Sequence, residues 1–155
     1  MSAFNLVDRI AEVDKNDSLT AFYTLTGQEE FLKNHFEGFP VMPGALLIES
    51  LKQAALSLLV LSGDFEKDFF RLVSVEEAKF GQFVQPVSHL KISVRILKKE
   101  GMTNFFEGRI DRVAMPSETV LGKALSATLT LAPERWTTEQ KREYFERFTG
   151  LQSER

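Results

Sequence analysis

Two side chains that can move protons flank a short, stiff loop: His35 lies at its start, and Glu49 follows fourteen positions later. Histidine exchanges a proton near neutral pH, and a carboxyl group in apolar surroundings keeps its proton longer than in water. Between them, Gly44 opens a predicted helix whose first N–H groups suit a developing oxyanion. A base, an acid and an oxyanion site fit proton abstraction next to a carbonyl. The residues alone equally allow a structural histidine and a structural glutamate, so both alternatives stay open.

The loop and the helix after it are the elements that must position these groups. Proline and glycine restrict the loop at Gly38, Pro40, Pro43 and Gly44. Residues 45–61 are apolar on nearly every face, which predicts a buried helix. Glu49, Lys52 and Gln53 interrupt this run, so we do not expect a membrane span. Glu49 and Gln53 share a helix face at i and i+4. Lys52 is expected to face away from Glu49, with an ion pair between the two as the alternative.

The rest of the chain is mainly β in character. Alternation and β-forming residues predict strands at residues 19–25, 90–96, 104–113 and 121–131, and one or two strands at residues 69–83. Residues 6–13 fit either a helical turn or an edge strand, residues 28–34 a short helical turn, and residues 98–102 and 115–118 turns. The predicted fold class is α+β, with an antiparallel sheet wrapped around one helix. Its exposed edges favour edge-to-edge dimerisation.

The chain divides into one domain at residues 1–132 and a helical extension of that domain at residues 133–155. Thr137 and Gln140 fit a capping box, and Tyr144, Phe145 and Phe148 then recur at helical spacing. This helix is expected to pack on its own domain, with coverage of a partner subunit as the alternative.

Composition narrows the classes of function. A net charge of −3 without a basic tract gives no reason to expect nucleic acid. The chain has no cysteine, which excludes disulfides and thiolate chemistry. The N-terminus lacks a signal-peptide pattern, so a cytoplasmic location is expected. The 14 phenylalanines indicate a large apolar interior, an apolar interface or an apolar ligand tunnel.

The string from His35 to Glu49, HFEGFPVMPGALLIE, resembles the motif of the 3-hydroxyacyl-acyl-carrier-protein dehydratases of type II fatty acid synthesis. That motif reads roughly His-Phe-Pro-Gly-x-Pro-x-Met-Pro-Gly-x-Leu-x-x-Glu. A weaker resemblance extends over residues 7–131, including VDRI at residues 7–10 and AKF at residues 78–80. It implies the hot-dog fold, in dimers or trimers of dimers whose active sites lie at the dimer interface.

The resemblance also implies roles for individual residues. His35 would remove a C2 proton from a 3-hydroxyacyl thioester, and Glu49 of the other subunit would assist departure of the hydroxyl as water. The Gly44 N–H would hold the thioester carbonyl, and Gln53 would orient Glu49. Candidates for an apolar acyl tunnel are Phe36, Phe39 and Phe83. Acyl carrier protein would deliver the substrate on its phosphopantetheine arm, with no metal or organic cofactor.

Two departures from the family pattern keep other functions open. Glu37 stands where the family usually has proline and is expected to point to solvent. The usual Pro-Gly-Asp is replaced by Pro86-Val87-Ser88-His89, in which His89 is expected to be a surface turn residue. The main alternative is a non-catalytic hot-dog subunit that binds acyl carrier protein or pairs with an active dehydratase. A hot-dog thioesterase ranks lower, and a dehydratase that also isomerises the double bond usually carries Asp where this chain has Glu49.

Overall fold

A six-stranded antiparallel sheet wraps around one long helix in the computed structural model, which describes residues 5–33, 38–63 and 69–134 together with Glu139, Arg142, Glu143 and Glu146. The elements are β1 (Arg9–Asp14), β2 (Ser18–Leu25), a 3-10 turn (Glu30–Leu32), α1 (Gly44–Leu61), β3 (Phe69–Phe80), β4 (Ser88–Glu100), β5 (Thr103–Val113) and β6 (Val120–Glu134). The strand order is β1-β2-β4-β5-β6-β3. The predicted α+β class with one sheet around one helix is confirmed.

The sheet buries one face against α1. Leu90, Ile92 and Val94 of β4 are 0–2% exposed, and the residues between them lie on the other face. Both strands of the β4–β5 hairpin are longer than predicted, because pairing continues to Glu100 and Thr103. The predicted turn at residues 98–102 is therefore only the Gly101–Met102 pair, and Gly101 supplies the positive φ of +62° that this turn requires.

The helix α1 begins directly after Pro43, which is its N-cap residue and has an extended backbone (φ −61°, ψ 143°). After the helix ends, the chain changes direction at Gly63, which has a φ of +91°. Most of the helix is buried against the sheet. Leu51 lies over Gly108 of β5, where an added Cβ would stand 2.9 Å from the Leu51 Cδ2 atom. The helix has the length and hydropathy of a membrane span, but its buried position is that of a core helix.

The structure shows which elements the N-terminal segment and the residues before the motif adopt. Residues 6–13 contain an edge strand, β1, rather than a helical turn. The short helical turn predicted at residues 28–34 is present as Glu30–Leu32, although Asn34 lies outside the described residues. The connection at residues 64–68 is not among the described residues. The residues on which the predicted C-terminal helix rested also lie outside the described residues: Thr137, Gln140, Tyr144, Phe145 and Phe148. The four described residues of this region have helical backbone.

The strand β3 is one continuous strand rather than two, and it ends at Phe80, before the last residues of the range predicted for it. Register shifts at Leu72/Ser74 and Glu76/Lys79 interrupt its pairing with β6. Within the described part of the chain, β3 has β6 as its only neighbour, so its other edge is open. The pairing with β6, three elements later, was not predicted because short turns indicate only neighbouring hairpins.

Candidate active site

The described part of the candidate site is the loop from Gly38, the first turns of α1 and the segment that follows β3. His35, Phe36 and Glu37 lie outside the described residues, so the predictions for the proton-abstracting base, one tunnel residue and the charge beside the base remain predictions. The chain leading to them is fixed by Glu29, whose carboxylate accepts hydrogen bonds from the backbone N–H groups of Thr26 and Gly27 at 3.0 and 2.9 Å.

The Glu29 carboxylate also accepts a hydrogen bond from the Tyr23 hydroxyl at 3.1 Å. Burial raises the pKa of Glu29, but the hydrogen bonds that it accepts lower that pKa by more, and the net direction is downward. Burial, followed by the neighbouring Glu29 charge, raises the pKa of Tyr23. The Glu29 carboxylate is therefore ionised, and it joins the residues that follow β2 to Tyr23 of that strand.

Both carboxylate oxygens of Glu49 have a donor. The Gln53 amide Nε2 donates to Oε2 at 3.1 Å, and the Lys52 ammonium lies 3.1 Å from Oε1. The expectation that Lys52 faces away from Glu49 is wrong, because at i and i+3 its flexible stem folds back along the helix. The two side chains of this ion pair are only 28–29% exposed. Glu49 is therefore a paired carboxylate in a half-buried position.

Gln53 connects Glu49 to the N-terminal segment. Its side chain is 6% exposed, and its Oε1 accepts a hydrogen bond from the Leu6 backbone N–H at 2.8 Å. One helical turn earlier, the Ser50 hydroxyl donates to the Leu6 carbonyl at 3.2 Å. Sequence reasoning missed Leu6, since a contact between positions 47 residues apart leaves no local pattern. The amide is thereby fixed with its oxygen toward Leu6 and its nitrogen toward Glu49.

The start of α1 leaves a free backbone donor. Leu46 and Leu47 donate their N–H groups to the Pro43 carbonyl, whereas the Gly44 N–H has no acceptor among the described residues. The ring of Phe80 lies against Gly44, since a Cβ added there would stand 2.9 Å from the Phe80 Cε1 atom. The Phe80 ring thus borders the helix N-terminus, which carries a partial positive charge. Sequence reasoning missed Phe80, although it belongs to the AKF string before Pro86.

The two described tunnel candidates contact each other. The rings of Phe39 and Phe83 meet edge to face with centroids 5.6 Å apart, and their exposed fractions are 41% and 68%. They form an apolar patch on the surface of the single chain. An acyl tunnel at this patch needs a second surface to cover it, and this role stays a prediction.

His89 is not the surface turn residue that the sequence suggested. It lies in β4, which begins at Ser88, and it is half-buried. Its Nδ1 atom is 3.1 Å from the Thr24 hydroxyl on the neighbouring strand β2. The altered turn after β3 therefore ends earlier than predicted, because β4 pairs with β2 as far as Leu25.

Comparison with known proteins extends the likeness beyond the motif. A family model described as a FabA-like domain matches residues 1–114. The 3-hydroxyacyl-[acyl-carrier-protein] dehydratase FabZ of Coxiella burnetii strain RSA 331 is 38% identical over 121 residues, which cover 74% of this chain and 85% of that protein. The FabZ of Levilactobacillus brevis is 40% identical over 93 residues, covering 60% of this chain and 63% of that protein.

Solved structures share the fold at low sequence identity. A chain of a dehydratase heterocomplex from Xenorhabdus doucetiae is 16% identical with a TM-score of 0.68, covering 94% of this chain and 91% of that one. A mutant thioesterase from Staphylococcus aureus is 13% identical with a TM-score of 0.61, covering 81% and 91%. These likenesses establish the hot-dog fold. With the family match over most of its length, the chain belongs to the FabA-like family and resembles the FabZ proteins within it.

Proposed function

We propose that this protein is a 3-hydroxyacyl-acyl-carrier-protein dehydratase that forms trans-2-enoyl thioesters in the synthesis of fatty acids or related lipids. The observation that carries the proposal is the local geometry of α1. The Gly44 N–H, which has no acceptor within residues 38–63 or the other described ranges, and the Glu49 carboxylate, held by the buried Gln53 amide, lie on the same helix. The FabZ relatives carry the name of this activity.

In the proposed reaction, His35 takes a proton from C2 of the 3-hydroxyacyl thioester. The electrons of that C–H bond form the C2–C3 double bond as the C3–O bond breaks. The Gly44 N–H stabilises negative charge on the thioester oxygen. The hydroxyl group leaves as water with a proton that the Glu49 carboxyl group donates, and the proton taken by His35 returns to Glu49 through solvent before the next turnover. These steps use side chains and one backbone amide, with neither a metal nor an organic cofactor.

Lys52 affects how Glu49 can meet the substrate. Its ammonium group already occupies the Oε1 side of the carboxylate at 3.1 Å, while Gln53 occupies Oε2. The substrate hydroxyl must share or replace the Lys52 contact. Ion pairs of this spacing on a helix contribute only about 0.2–0.5 kcal/mol, so their displacement costs little.

The proposed active form is a homodimer with shared sites, or a trimer of such dimers. The open edge of β3 supports this arrangement, since long unpaired strand edges are normally covered. Large apolar side chains are exposed on β3 and just beyond it, at Val73, Phe80 and Phe83. A second copy that pairs along β3 would cover this surface and bring its own loop toward Glu49. Acyl carrier protein, the other proposed partner, would deliver the substrate in the cytoplasm.

The second candidate function is a non-catalytic subunit that binds acyl carrier protein or pairs with an active dehydratase. The Lys52–Glu49 ion pair favours it, because both oxygens of the proposed acid already have donors. The two candidates differ in turnover: the dehydratase forms the enoyl product, and the non-catalytic subunit binds the thioester without changing it.

The test follows enoyl formation from 3-hydroxyacyl thioesters on acyl carrier protein. We expect turnover by the wild type and a loss of about 10²–10⁴-fold in His35→Ala and in Glu49→Gln. His89→Ala is the matched control, because it removes the other histidine of the chain, and it should retain turnover. No turnover by folded wild-type protein over several chain lengths would favour the non-catalytic subunit.

Subunit mixing tests the shared site. We expect His35→Ala and Glu49→Gln, each inactive alone, to regain part of the activity after they are refolded together, because one site of each mixed dimer carries both native residues. Light scattering gives the mass of the assembly. Mixed dimers that form without any recovery would rule out a site shared between subunits.

A further inference from the structure

We propose that Gln82, fixed by Arg112, is a positioning residue that holds Phe80 against the helix N-terminus and so sets which acyl chains the site accepts. The proposal rests on the thioester site at Gly44 in the proposed function, and it names the residues that shape this site. Neither Gln82 nor Arg112 belongs to the motif, and the hydrogen bond that joins them is separate from the one between Gln53 and Glu49.

The segment at residues 80–84 is attached to β6 by its backbone. The Gly81 N–H donates to the Ala124 carbonyl at 2.9 Å, and the Gln82 N–H donates to the Lys123 carbonyl at 2.8 Å. Gly81 permits this approach, because a Cβ there would stand 2.1 Å from the Lys123 oxygen. Further along, the Val84 carbonyl accepts the Met42 N–H at 2.9 Å. The segment thus bridges β6 and the loop that precedes α1.

The Gln82 side chain lies in a space that a glycine leaves open. Arg112 and Gly122 are direct partners in the β5–β6 register. A Cβ added at Gly122 would stand 2.2 Å from the Gln82 Oε1 atom, so the amide group lies directly over this glycine. A residue larger than glycine at position 122 would push the amide away.

Arg112 supplies the contact that fixes the amide. Its Nη1 donates to the Gln82 Oε1 at 2.6 Å, and hydrogen bonds from a charged donor are the stronger class. The Arg112 Nε atom is buried and has no hydrogen-bond partner among the described residues. Arg112 is half-buried, whereas Gln82 and the hydrogen bond between the two are exposed to solvent, so the guanidinium group anchors an amide at the protein surface.

Two aromatic rings depend on this anchored segment. Phe80, the first residue of the segment, packs its ring against Gly44. Phe83, near the end of the segment, packs its ring against Phe39 of the motif loop. If the Gln82 side chain loses Arg112, the backbone hydrogen bonds of the segment remain, but one of the contacts that fix its position is gone. The Phe80 ring can then shift away from Gly44 and open space beside the thioester carbonyl. The affinity for longer acyl chains then rises relative to the affinity for shorter ones.

The experiment measures binding and turnover separately on the full-length protein. Calorimetry gives the Kd of two stable pantetheine amides, one carrying a 3-hydroxybutyryl group and one a 3-hydroxydecanoyl group. We expect the ratio of the two Kd values to shift toward the decanoyl amide by roughly tenfold in Gln82→Ala, a size typical of apolar pocket changes. Gly122→Ala should give the same shift, because its new methyl group displaces only the end of a flexible side chain.

Two further variants separate positioning from general damage. Gln82→Glu keeps an oxygen for Arg112 and should retain the wild-type ratio. Arg95→Met removes another contact of 2.6 Å, to Glu107 on the exposed face of the sheet, and should also retain it. Because a ratio of Kd values does not depend on the fraction of active protein, partial unfolding does not imitate the shift.

The inference is overturned if the ratio stays within about twofold of wild type in both Gln82→Ala and Gly122→Ala, since a lost apolar contact changes it by more. It is also overturned if wild-type protein binds neither amide. Turnover of the carrier-protein substrate is followed in parallel. A shifted binding ratio without any turnover would support the positioning role and reject the dehydratase.

Discussion

Gln53→Leu tests whether one buried amide both stabilises the fold and orients Glu49. Leucine fits the space approximately but removes the acceptor of the Leu6 N–H at 2.8 Å and the donor to Glu49 at 3.1 Å. Hydrogen bonds contribute about 0.5–1.5 kcal/mol each, or about 1.5–3 kcal/mol with a charged group, and an unsatisfied buried N–H costs about 1–3 kcal/mol. We expect a loss of roughly 2–5 kcal/mol in the free energy of unfolding.

Thermal and urea unfolding measure that loss. For a domain of this size, about 2–4 °C of Tm accompanies each kcal/mol, so a Tm decrease on the order of 10 °C is expected. Enoyl formation, assayed well below the new Tm, should fall by about tenfold or more because the carboxylate is no longer held in its productive orientation. The control is Ser57→Ala, which removes a buried hydroxyl that donates to the Gln53 carbonyl at 2.8 Å.

The control should lose only about 1 kcal/mol and keep its turnover, since the Gln53 side chain and its contacts are untouched. The reasoning is refuted if Gln53→Leu keeps its Tm within about 2 °C of wild type. It is refuted in its second half if the folded variant keeps full turnover, because Glu49 would then be oriented by something other than the amide.

Three further outcomes are expected. Lys52→Met should change turnover by no more than about twofold, because a helix pair worth about 0.5 kcal/mol corresponds to that factor and Glu49 keeps its amide donor; a larger loss would make Lys52 part of the proton transfer. The hydrogen bonds that Glu29 accepts outweigh its burial and lower its pKa, so it stabilises the fold above its unfolded pKa of about 4.3 and loses this effect as pH falls through the lower folded value. Glu29→Gln should therefore have a lower urea midpoint than wild type at pH 7, with a gap that narrows in acid; a constant gap would contradict the assignment. Gly108→Ala should lose about 1–3 kcal/mol in urea unfolding through overpacking against Leu51, and an unchanged midpoint would show that this leucine can rotate away.

Local patterns in the sequence were sufficient for most elements of the fold. The alternation of Leu90, Ile92 and Val94 predicts a strand, and the uniformly apolar run after Gly44 predicts the core helix; both are confirmed. The burial of such faces is decided by the residues themselves, so a single chain segment carries the information. The resemblance in the motif implied that Gln53 orients Glu49, and a hydrogen bond joins the two side chains.

Contacts between distant segments were not predictable in this way. The pairing of β3 with β6 and the Leu6–Gln53 hydrogen bond join positions far apart, and nothing local in either segment specifies its partner. Lys52 was misjudged because a long flexible side chain can reach several partners from one backbone position. His89 was assigned to a turn because prolines and small polar residues before it conceal where β4 begins.

The strand order has a consequence for how the chain is made. During synthesis, the edge of β2 that pairs with β4 stays unpaired until β4 has been translated. In the same way, β3 stays unpaired until β6 has been translated. The helix α1 is therefore complete before β4, β5 and β6, which cover most of it, have been translated. Non-local pairing of this kind slows folding and exposes apolar surface to aggregation. A ribosome that stalls before β6 would release a chain in which β3 has no partner strand and β5 lacks one of its two neighbours. Synthesis of β6 therefore decides whether a nascent chain completes its sheet or becomes a substrate for chaperones.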